Sequence, residues 1–339
     1  MKPHLIDLPV AINFYARPET LQPVFEQIRN ARPSVLFLIS DGPKVEGGNE
    51  AANVLKCREL VGNIDWDCEV HRLYNEVNKG LFVTYFESMK KVFEYVDYCV
   101  FLEDDVVVSQ SFFTYEKELL ERYKNDSRIS FVTAINIHDR GVYEKCPNDY
   151  FFCGEGALTA YGLWRRTFES MNTEFISYAY DVNNAKDLAR KLKPGYEKRI
   201  STMVSNPNYN GHIPHVEVYK NLTRFFHNQL CIVPRINMVS NIGVCSNATH
   251  SANDIRKLPR VTQRLFEAKR YEFVSELRHP NYVTCDIRYE NEVNYILAWN
   301  RPLLHFVRKI EALIRHLVFG DFYRVKEKIV QFARGQNHD

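Results

Sequence analysis

The first third of this 339-residue chain alternates short apolar runs with segments of helical periodicity, which limits the folds it can adopt. Three continuous apolar runs predict strands that are covered on both faces, at 10–15, 35–40 and 98–102. Apolar residues at helical spacing predict helices at 18–31 and 81–96. Strands joined through helices form parallel crossovers, so we predict an α/β fold with a mainly parallel central sheet flanked by helices.

Weaker signals extend this pattern. They predict a strand at 68–73, a helix at 111–124 and a strand at 129–135. Beyond residue 140 the local patterns become poor, which is typical of a region rich in loops. The prediction of the sheet therefore depends mainly on the first 135 residues.

The composition is ordinary for a soluble globular protein, with 45% hydrophobic residues, 25% charged residues and a net charge of +2. This charge balance gives no indication of a nucleic-acid partner. Residues 1–8 lack the apolar core of a signal peptide, and no apolar run approaches the roughly 20 residues of a membrane span. The eight cysteines show no C-x-x-C spacing, which favours buried reduced thiols. We therefore expect a cytoplasmic protein.

Three consecutive carboxylates, Glu103, Asp104 and Asp105, directly follow the apolar run at 98–102. A buried strand that ends in an acidic cluster directs oxygen ligands to the carboxyl edge of the sheet, where open α/β sheets bind their ligands. Carboxylate oxygens suit Mg²⁺ or Mn²⁺, and such ions hold substrate phosphates. The pattern predicts an enzyme that handles a nucleotide or another diphosphate through a metal.

Several short motifs, in order along the chain, resemble the GT-A-fold nucleotide-sugar glycosyltransferases. They look most like the bacterial glycosyltransferase group labelled hemolysin-like or HlpA-like, and are distantly similar to N-acetylglucosaminyltransferase I. The acidic triplet stands where the family has its D-x-D-like motif, and 161–164 resembles a degraded W-G-W-A-T-W element. The other matching segments are 78–80, 111–115, 135–136, 234–243 and 248–251.

The resemblance covers roughly residues 8–255. It implies a GT-A domain at 1–255, with a nucleotide-binding half at 1–140 and an acceptor-side half at 141–255. Residues 256–339 then form a C-terminal helical extension. The implied activity is metal-dependent, inverting transfer of a sugar from a nucleotide-diphosphate sugar, with a uridine-based donor expected. The acceptor would be a hydroxyl of a surface glycan such as lipopolysaccharide or capsule, free or lipid-linked.

The resemblance also assigns the metal and donor residues around the triplet. Asp105 would bind Mn²⁺ or Mg²⁺, and His250, in the family's A-T-H-T-like element, is the candidate second ligand. Asp104 would contact the ribose or the sugar, and Glu103 the nucleotide.

An inverting transfer needs a base that deprotonates the acceptor hydroxyl. Glu217 precedes Pro234 by the spacing of the family's catalytic aspartate, although an ordinary glutamate near a helix N-terminus is an equally simple interpretation. Glu155 is the second candidate, because the flanking Gly154 and Gly156 allow a backbone to approach the donor sugar closely.

Four further residues are candidates for donor binding. Arg17 follows the first predicted strand and Asp41 the second, so both are expected at the ligand edge, and Asp41 resembles the base-binding aspartate of GT-A enzymes. Asn78 and Lys79 are candidates for the diphosphate side. The simpler interpretations are a solvated loop arginine and a turn aspartate beside Gly-Pro.

Two other functions remain open from the sequence. A nucleotidyltransferase would share the sheet and the acidic site, but the segment 14–20 lacks its glycine-rich phosphate loop. A non-catalytic nucleotide- or carbohydrate-binding descendant would explain the degraded 161–164 element.

The segment 301–334 forms a basic amphipathic pattern of its own. One interpretation is peripheral docking on the cytoplasmic face of the inner membrane. The other is a helix that packs on the protein's own core and presents a solvated basic face.

Overall fold

The computed structural model describes most of the chain. The described residues are 1–45, 47–138, 140–157, 159–171, 183–184, 187, 190–191, 216–243, 254–264, 266, 268–298, 301–322 and 325–326. Within them, no helix is long and apolar enough to cross a membrane. Every structural statement that follows refers to these residues.

The strands, in chain order, are β1 Ile6–Phe14, β2 Pro33–Ser40, β3 Glu69–Tyr74, β4 Tyr98–Glu103, β5 Val106–Val108, β6 Ile129–Thr133, β7 Tyr150–Cys153, β8 Tyr161–Trp164, β9 Leu230–Pro234 and β10 Val239–Asn241. The helices are α1 Pro18–Ala31, α2 Asn49–Gly62, α3 Leu81–Tyr95, α4 Ser111–Arg122, α5 Arg165–Glu169, α6 Val216–Phe226, α7 Arg260–Gln263, α8 Ile287–Ile296 and α9 Pro302–Val318.

An eight-stranded sheet in the order β3-β2-β1-β4-β8-β6-β9-β7 forms the centre of the molecule. Parallel pairing joins β3, β2, β1 and β4, and also β6 and β9, whereas β8 and β7 run in the opposite direction. A short antiparallel pair, β5 and β10, lies beside it. The predicted α/β fold with a mainly parallel sheet flanked by helices is therefore confirmed.

The sequence did not predict α2, which lies between β2 and β3. Its buried residues are only Val54, Cys57 and Val61, so its apolar stripe is narrow and gives a weak periodic signal. The helix matters for the site, because it carries Arg58 to the end of β2. The Arg58 guanidinium donates to the backbone oxygens of Asp41 at 3.1 Å and Asn75 at 2.7 Å.

The described part of the segment after residue 268 packs onto the body of the sheet. Leu277 joins the apolar core on one face, while Tyr289 and Val293 of α8 join the core on the other. Arg278 and Arg235 both contact the buried carboxylate of Asp149. This segment therefore contributes to the same hydrophobic cores as the strands.

Candidate functional site

The parallel register brings the carboxyl ends of three strands to the same edge of the sheet. In that register Asn13 of β1 pairs with Glu103 of β4, and Phe14 pairs with Ser40 of β2. Residues that follow these strands, such as Arg17 and Asp104, must therefore lie close together. The prediction that they share a ligand edge rested on the general rule for open sheets, and the structure does bring them together.

Asp104 and Asp105, which we call the acid pair, are bridged by one guanidinium group. Arg17 Nη1 donates to Asp105 Oδ2 at 3.0 Å, and Arg17 Nη2 and Nε both donate to the Asp104 carboxylate. The backbone N–H of Tyr15 also donates to Asp104 Oδ2 at 3.4 Å. Arg17 thus holds the acid pair and the end of β1 together.

Burial and charge act in opposite directions on these groups. Burial raises the pKa of Asp104, which is almost completely enclosed, and the Arg17 charge opposes that increase. For Arg17, burial disfavours the charged form, but the attraction of the acid pair outweighs it and raises the pKa. A single positive charge faces two carboxylates, so the cluster remains able to accept a further cation.

Asp105 has the features expected of a metal ligand. Its Oδ1 atom is buried and has no hydrogen-bond partner among the described residues, while Oδ2 faces Arg17. Gly243 follows β10 and lies against this carboxylate, so that a Cβ added there would be 2.9 Å from Asp105 Cγ. An orphaned carboxylate oxygen fits Mg²⁺ or Mn²⁺, which often bind one or two carboxylates together with substrate phosphates.

The second proposed ligand, His250, lies outside the described residues. Within the described part of the chain, no group of three His, Cys, Asp or Glu side chains is arranged to hold a metal. The assignment of His250 therefore stays a prediction. The chain touches Asp105 at Gly243 shortly before the segment that carries this histidine.

Asp41 organises the loop between β3 and α3. Its carboxylate accepts hydrogen bonds from the backbone N–H groups of Gly42, Lys79 and Gly80 at 2.8 to 3.1 Å, and from the Asn75 side chain. Because these donors occupy both carboxylate oxygens, Asp41 fixes the conformation of the loop. Its predicted contact with a nucleotide base stays a prediction.

Asn78 and Lys79 lie in that loop but point to different partners. Asn78 donates to the backbone oxygen of Gly42 at 2.8 Å and so ties the loop to the end of β2. The Lys79 ammonium is 2.7 Å from Glu87 on α3, on an exposed surface. Only Asn78 therefore joins the strand ends through its side chain.

Two buried bases on α6 were not predicted from the sequence. Lys220 is 1% exposed; its ammonium bonds the Tyr161 hydroxyl and lies 3.5 Å from the centroid of that ring. Burial lowers the pKa of Lys220 well below its usual 10.5, and the Glu103 charge opposes this. Arg224 is equally buried, donates to the Gly154 carbonyl, and its Nε atom has no partner among the described residues. A buried guanidinium nitrogen without a partner, such as Arg224 Nε, suits an anionic ligand.

The register also shows how α6 runs relative to the sheet. Lys220 contacts Tyr161, which pairs with Phe101 of β4. Arg224 contacts Gly154, and the neighbouring Cys153 lies in register with Cys99, two residues farther from the carboxyl end of β4. The beginning of α6 is therefore nearer the carboxyl edge than its end. Glu217 belongs to that beginning, but its side chain lies outside the described residues, so its role as base stays a prediction.

Glu155 is not brought to the acid pair. It is buried between Gly154 and Gly156, and a Cβ added at Gly156 would be 2.5 Å from the Cys231 sulfur. Cys231 lies in register with Cys99 of β4. Asp104 follows Cys99 by five residues, so the two positions are roughly 16 Å apart along the strand. The structure thus gives Glu155 no contact with the acid pair.

Two asparagines of the sequence motifs form one buried cluster. The Asn136 backbone N–H donates to Asn237 Oδ1 at 3.2 Å, and the Asn136 amide donates to the Pro234 carbonyl at 2.7 Å. The Asn237 amide in turn donates to the carbonyls of Val239 and Lys269. These residues fix the loops after β6 and β9, which explains asparagine at both positions without a ligand.

No protein-family model matches the chain. No curated protein matches its sequence. Among solved structures, it is similar to a UDP-glucose pyrophosphorylase complexed with UDP-glucose, at 11% identity over 68% of this chain and 91% of that chain, with a TM-score of 0.33. It is also similar to a 4-diphosphocytidyl-2C-methyl-D-erythritol synthase from Anaerococcus prevotii, at 12% identity over 50% and 77% of the two chains, with a TM-score of 0.33. A third is the glycosyltransferase GlyE of Streptococcus pneumoniae, at 14% identity over 60% and 44%, with a TM-score of 0.28. Similarity this low carries no argument about function.

Proposed function

We propose that this chain is a metal-dependent glycosyltransferase that moves a sugar from a nucleotide-diphosphate donor to a hydroxyl group. The observation that carries the proposal is the acid pair at the carboxyl edge of the sheet, bridged by Arg17. The orphaned Oδ1 of Asp105 suits a divalent cation. Such a cation neutralises the charge that develops on a departing diphosphate.

Different residues of the chain would then contribute to donor binding in different ways. Arg17 holds the carboxylates in position, and Asp41 fixes the loop that covers the end of β2. Arg224 places a buried positive group behind the site, and the nearby Lys220, whose pKa burial lowers, adds a buried nitrogen that an anion would favour in its charged form. A uridine diphosphate sugar is the donor class that we propose.

The acceptor side of the proposal depends on α6. Glu217 would remove the proton of the acceptor hydroxyl, and a single displacement at the sugar carbon then inverts its configuration. We propose a surface glycan, such as lipopolysaccharide or capsule, as acceptor. A lipid-linked form of it would place the protein peripherally at the cytoplasmic face of the inner membrane.

The test is donor turnover measured as release of nucleoside diphosphate. A panel of nucleotide sugars is incubated with Mn²⁺ and wild type, Asp105→Asn or Glu217→Gln. The matched control is Asp126→Asn, because Asp126 pairs with Arg128 at the start of β6, away from the carboxyl edge. We expect Asp105→Asn to lose about 10²-fold or more of the turnover and the control to keep it.

Other outcomes separate the rival functions. Consumption of a nucleoside triphosphate with release of pyrophosphate would identify a nucleotidyltransferase instead. Binding of uridine diphosphate without turnover of any donor would identify a non-catalytic binding protein. Turnover that is unchanged in Asp105→Asn would remove the acid pair from the mechanism.

A further inference from the structure

Helix α9 buries few of its side chains against the rest of the protein. Ala312 and His316 are its buried residues. Arg315 donates to Glu311 on the same helix and to the backbone oxygen of Arg256, and the Glu311 carboxylate accepts from the Arg260 backbone. These hydrogen bonds attach the helix to the short turn at 255–257 and to α7.

The large apolar side chains of α9 are not buried in the core. Its large apolar residues follow the spacing i, i+3, i+4, i+7, i+11 and i+14, which puts them on one face of a helix. Their exposed fractions lie between 42% and 82%, so they are not covered by the described part of the chain. We call this set the apolar stripe: Leu303, Phe306, Val307, Ile310, Ile314 and Leu317.

Part of the apolar stripe lines an open groove of about 1240 Å³ between α9, α8 and α7. Five arginines border the groove, against two glutamates, Glu292 and Glu311. Arg308 bonds backbone carbonyls of α8, and Arg301 lies 5.3 Å from the centroid of the Tyr295 ring, so neither contact neutralises the charge. We call these residues the arginine rim: Arg260, Arg264, Arg301, Arg308 and Arg315.

We infer that the apolar stripe and the arginine rim form a docking surface for an anionic phospholipid bilayer. Soluble monomers rarely expose a continuous apolar face of this size. A helix that lies in the plane of a membrane buries its apolar face among the acyl chains and sets its bases among the headgroups. The positive rim complements anionic headgroups, and this charge match selects a lipid surface over the protein's own core.

This inference deepens the peripheral membrane placement within the proposed function, and its test is independent of donor turnover. The sequence left two interpretations of the segment 301–334 open, and one of them placed the apolar face of the helix on the core. The orientation of α9 contradicts that interpretation, because the buried positions are Ala312 and His316 and the stripe is exposed.

The test is co-sedimentation of the full chain with vesicles of phosphatidylcholine, with or without phosphatidylglycerol. The stripe variant is Ile310→Gln with Ile314→Gln, and the rim variant is Arg260→Gln with Arg301→Gln. The matched control replaces two exposed apolar residues elsewhere, Leu55→Gln with Val274→Gln. Each protein is also measured by thermal unfolding and light scattering without lipid.

We expect wild type and control to bind only vesicles with phosphatidylglycerol, and more weakly as salt is added. The vesicle partition coefficient should fall at least about tenfold in the stripe variant and about tenfold in the rim variant. Melting temperature should not fall, because the replaced side chains are exposed. Absence of wild-type binding, equal binding to both vesicles, or equal loss in the control would overturn the inference. So would a stripe variant that melts lower or dissociates a wild-type dimer, since the stripe would then be covered by protein.

Discussion

In wild type, the buried Glu116 should lower the free energy of unfolding as the pH rises. Glu116→Gln should remove this pH dependence. Glu116 lies on the inner face of α4, is fully buried, and its carboxyl oxygens lack a well-formed hydrogen bond among the described residues. The carboxyl group fits against β8 only because residue 162 is glycine; a Cβ there would also be 2.8 Å from Leu120. Burial raises the pKa of Glu116 well above its usual 4.5, and the nearby Gly162 N–H lowers it by less.

The sign of the effect follows from proton binding. Above pH 4.5 the unfolded chain releases the Glu116 proton while the folded chain keeps it, so the free energy of unfolding falls with rising pH. Each pH unit costs about 1.4 kcal/mol for as long as the folded group stays protonated. The loss begins near pH 4.5 and stops once the pH passes the folded-state pKa, which burial places well above 4.5.

The assay is urea unfolding followed by tryptophan fluorescence, because Trp66 and Trp164 are both buried. We expect the free energy of unfolding of Glu116→Gln, relative to wild type, to rise by about 1.4 kcal/mol per pH unit from pH 5 until the pH reaches the folded-state pKa of Glu116. Glu121→Gln is the control on the same helix. Its carboxylate is exposed and the Tyr98 hydrogen bond lowers its pKa, so its difference from wild type should be constant in this range. Parallel curves for wild type and Glu116→Gln would refute the reasoning.

Three further predictions concern the candidate site. Arg17→Gln should lower the free energy of unfolding in chelator by about 3 kcal/mol, because the acid pair loses its partner. Mn²⁺ should then raise the melting temperature of the variant more than that of wild type, and equal shifts would contradict the pairing. Gly243→Ala should abolish the Mn²⁺ response by displacing the acid pair, whereas Gly62→Ala, with nothing within 4 Å of its added Cβ, should preserve it. Lys220→Met should have a higher free energy of unfolding at neutral pH, because burial lowers the pKa of this lysine. The variant should nevertheless bind the donor more weakly, which calorimetric titration with uridine diphosphate measures.

Local patterns predicted the part of the molecule in which each strand is covered on both faces. The runs that became β1, β2 and β4 carry their own signal, and Asp104 follows from the end of β4 by the general rule for sheet edges. The Arg17 bridge is different, because its geometry needs the parallel register of β1 and β4. The sequence predicts that Arg17 and Asp104 lie at the same edge of the sheet, but their contacts are defined only by the folded structure.

Asp41 illustrates the limit of local reasoning. Its position after β2 was predictable, but its hydrogen bonds come from the backbone at Lys79 and Gly80, nearly forty residues later. Whether a carboxylate at a strand end is free for a ligand depends on which loop folds over it. In the structure, loop donors contact both oxygens of Asp41, whereas Asp105 Oδ1 has no hydrogen-bond partner among the described residues.

Two helices, α6 and α9, have polar side chains at buried positions. On α6 the buried residues include Lys220, Thr223 and Arg224, and on α9 the buried positions are Ala312 and His316 beside an exposed apolar stripe. Binary patterning assumes that polar faces meet water, so it does not predict which side chains of these two helices are buried. A fold tolerates such reversals only where something else compensates, which is most often a ligand or a partner surface. This reasoning supports the two proposals made above, an anionic donor beside α6 and an anionic membrane at α9.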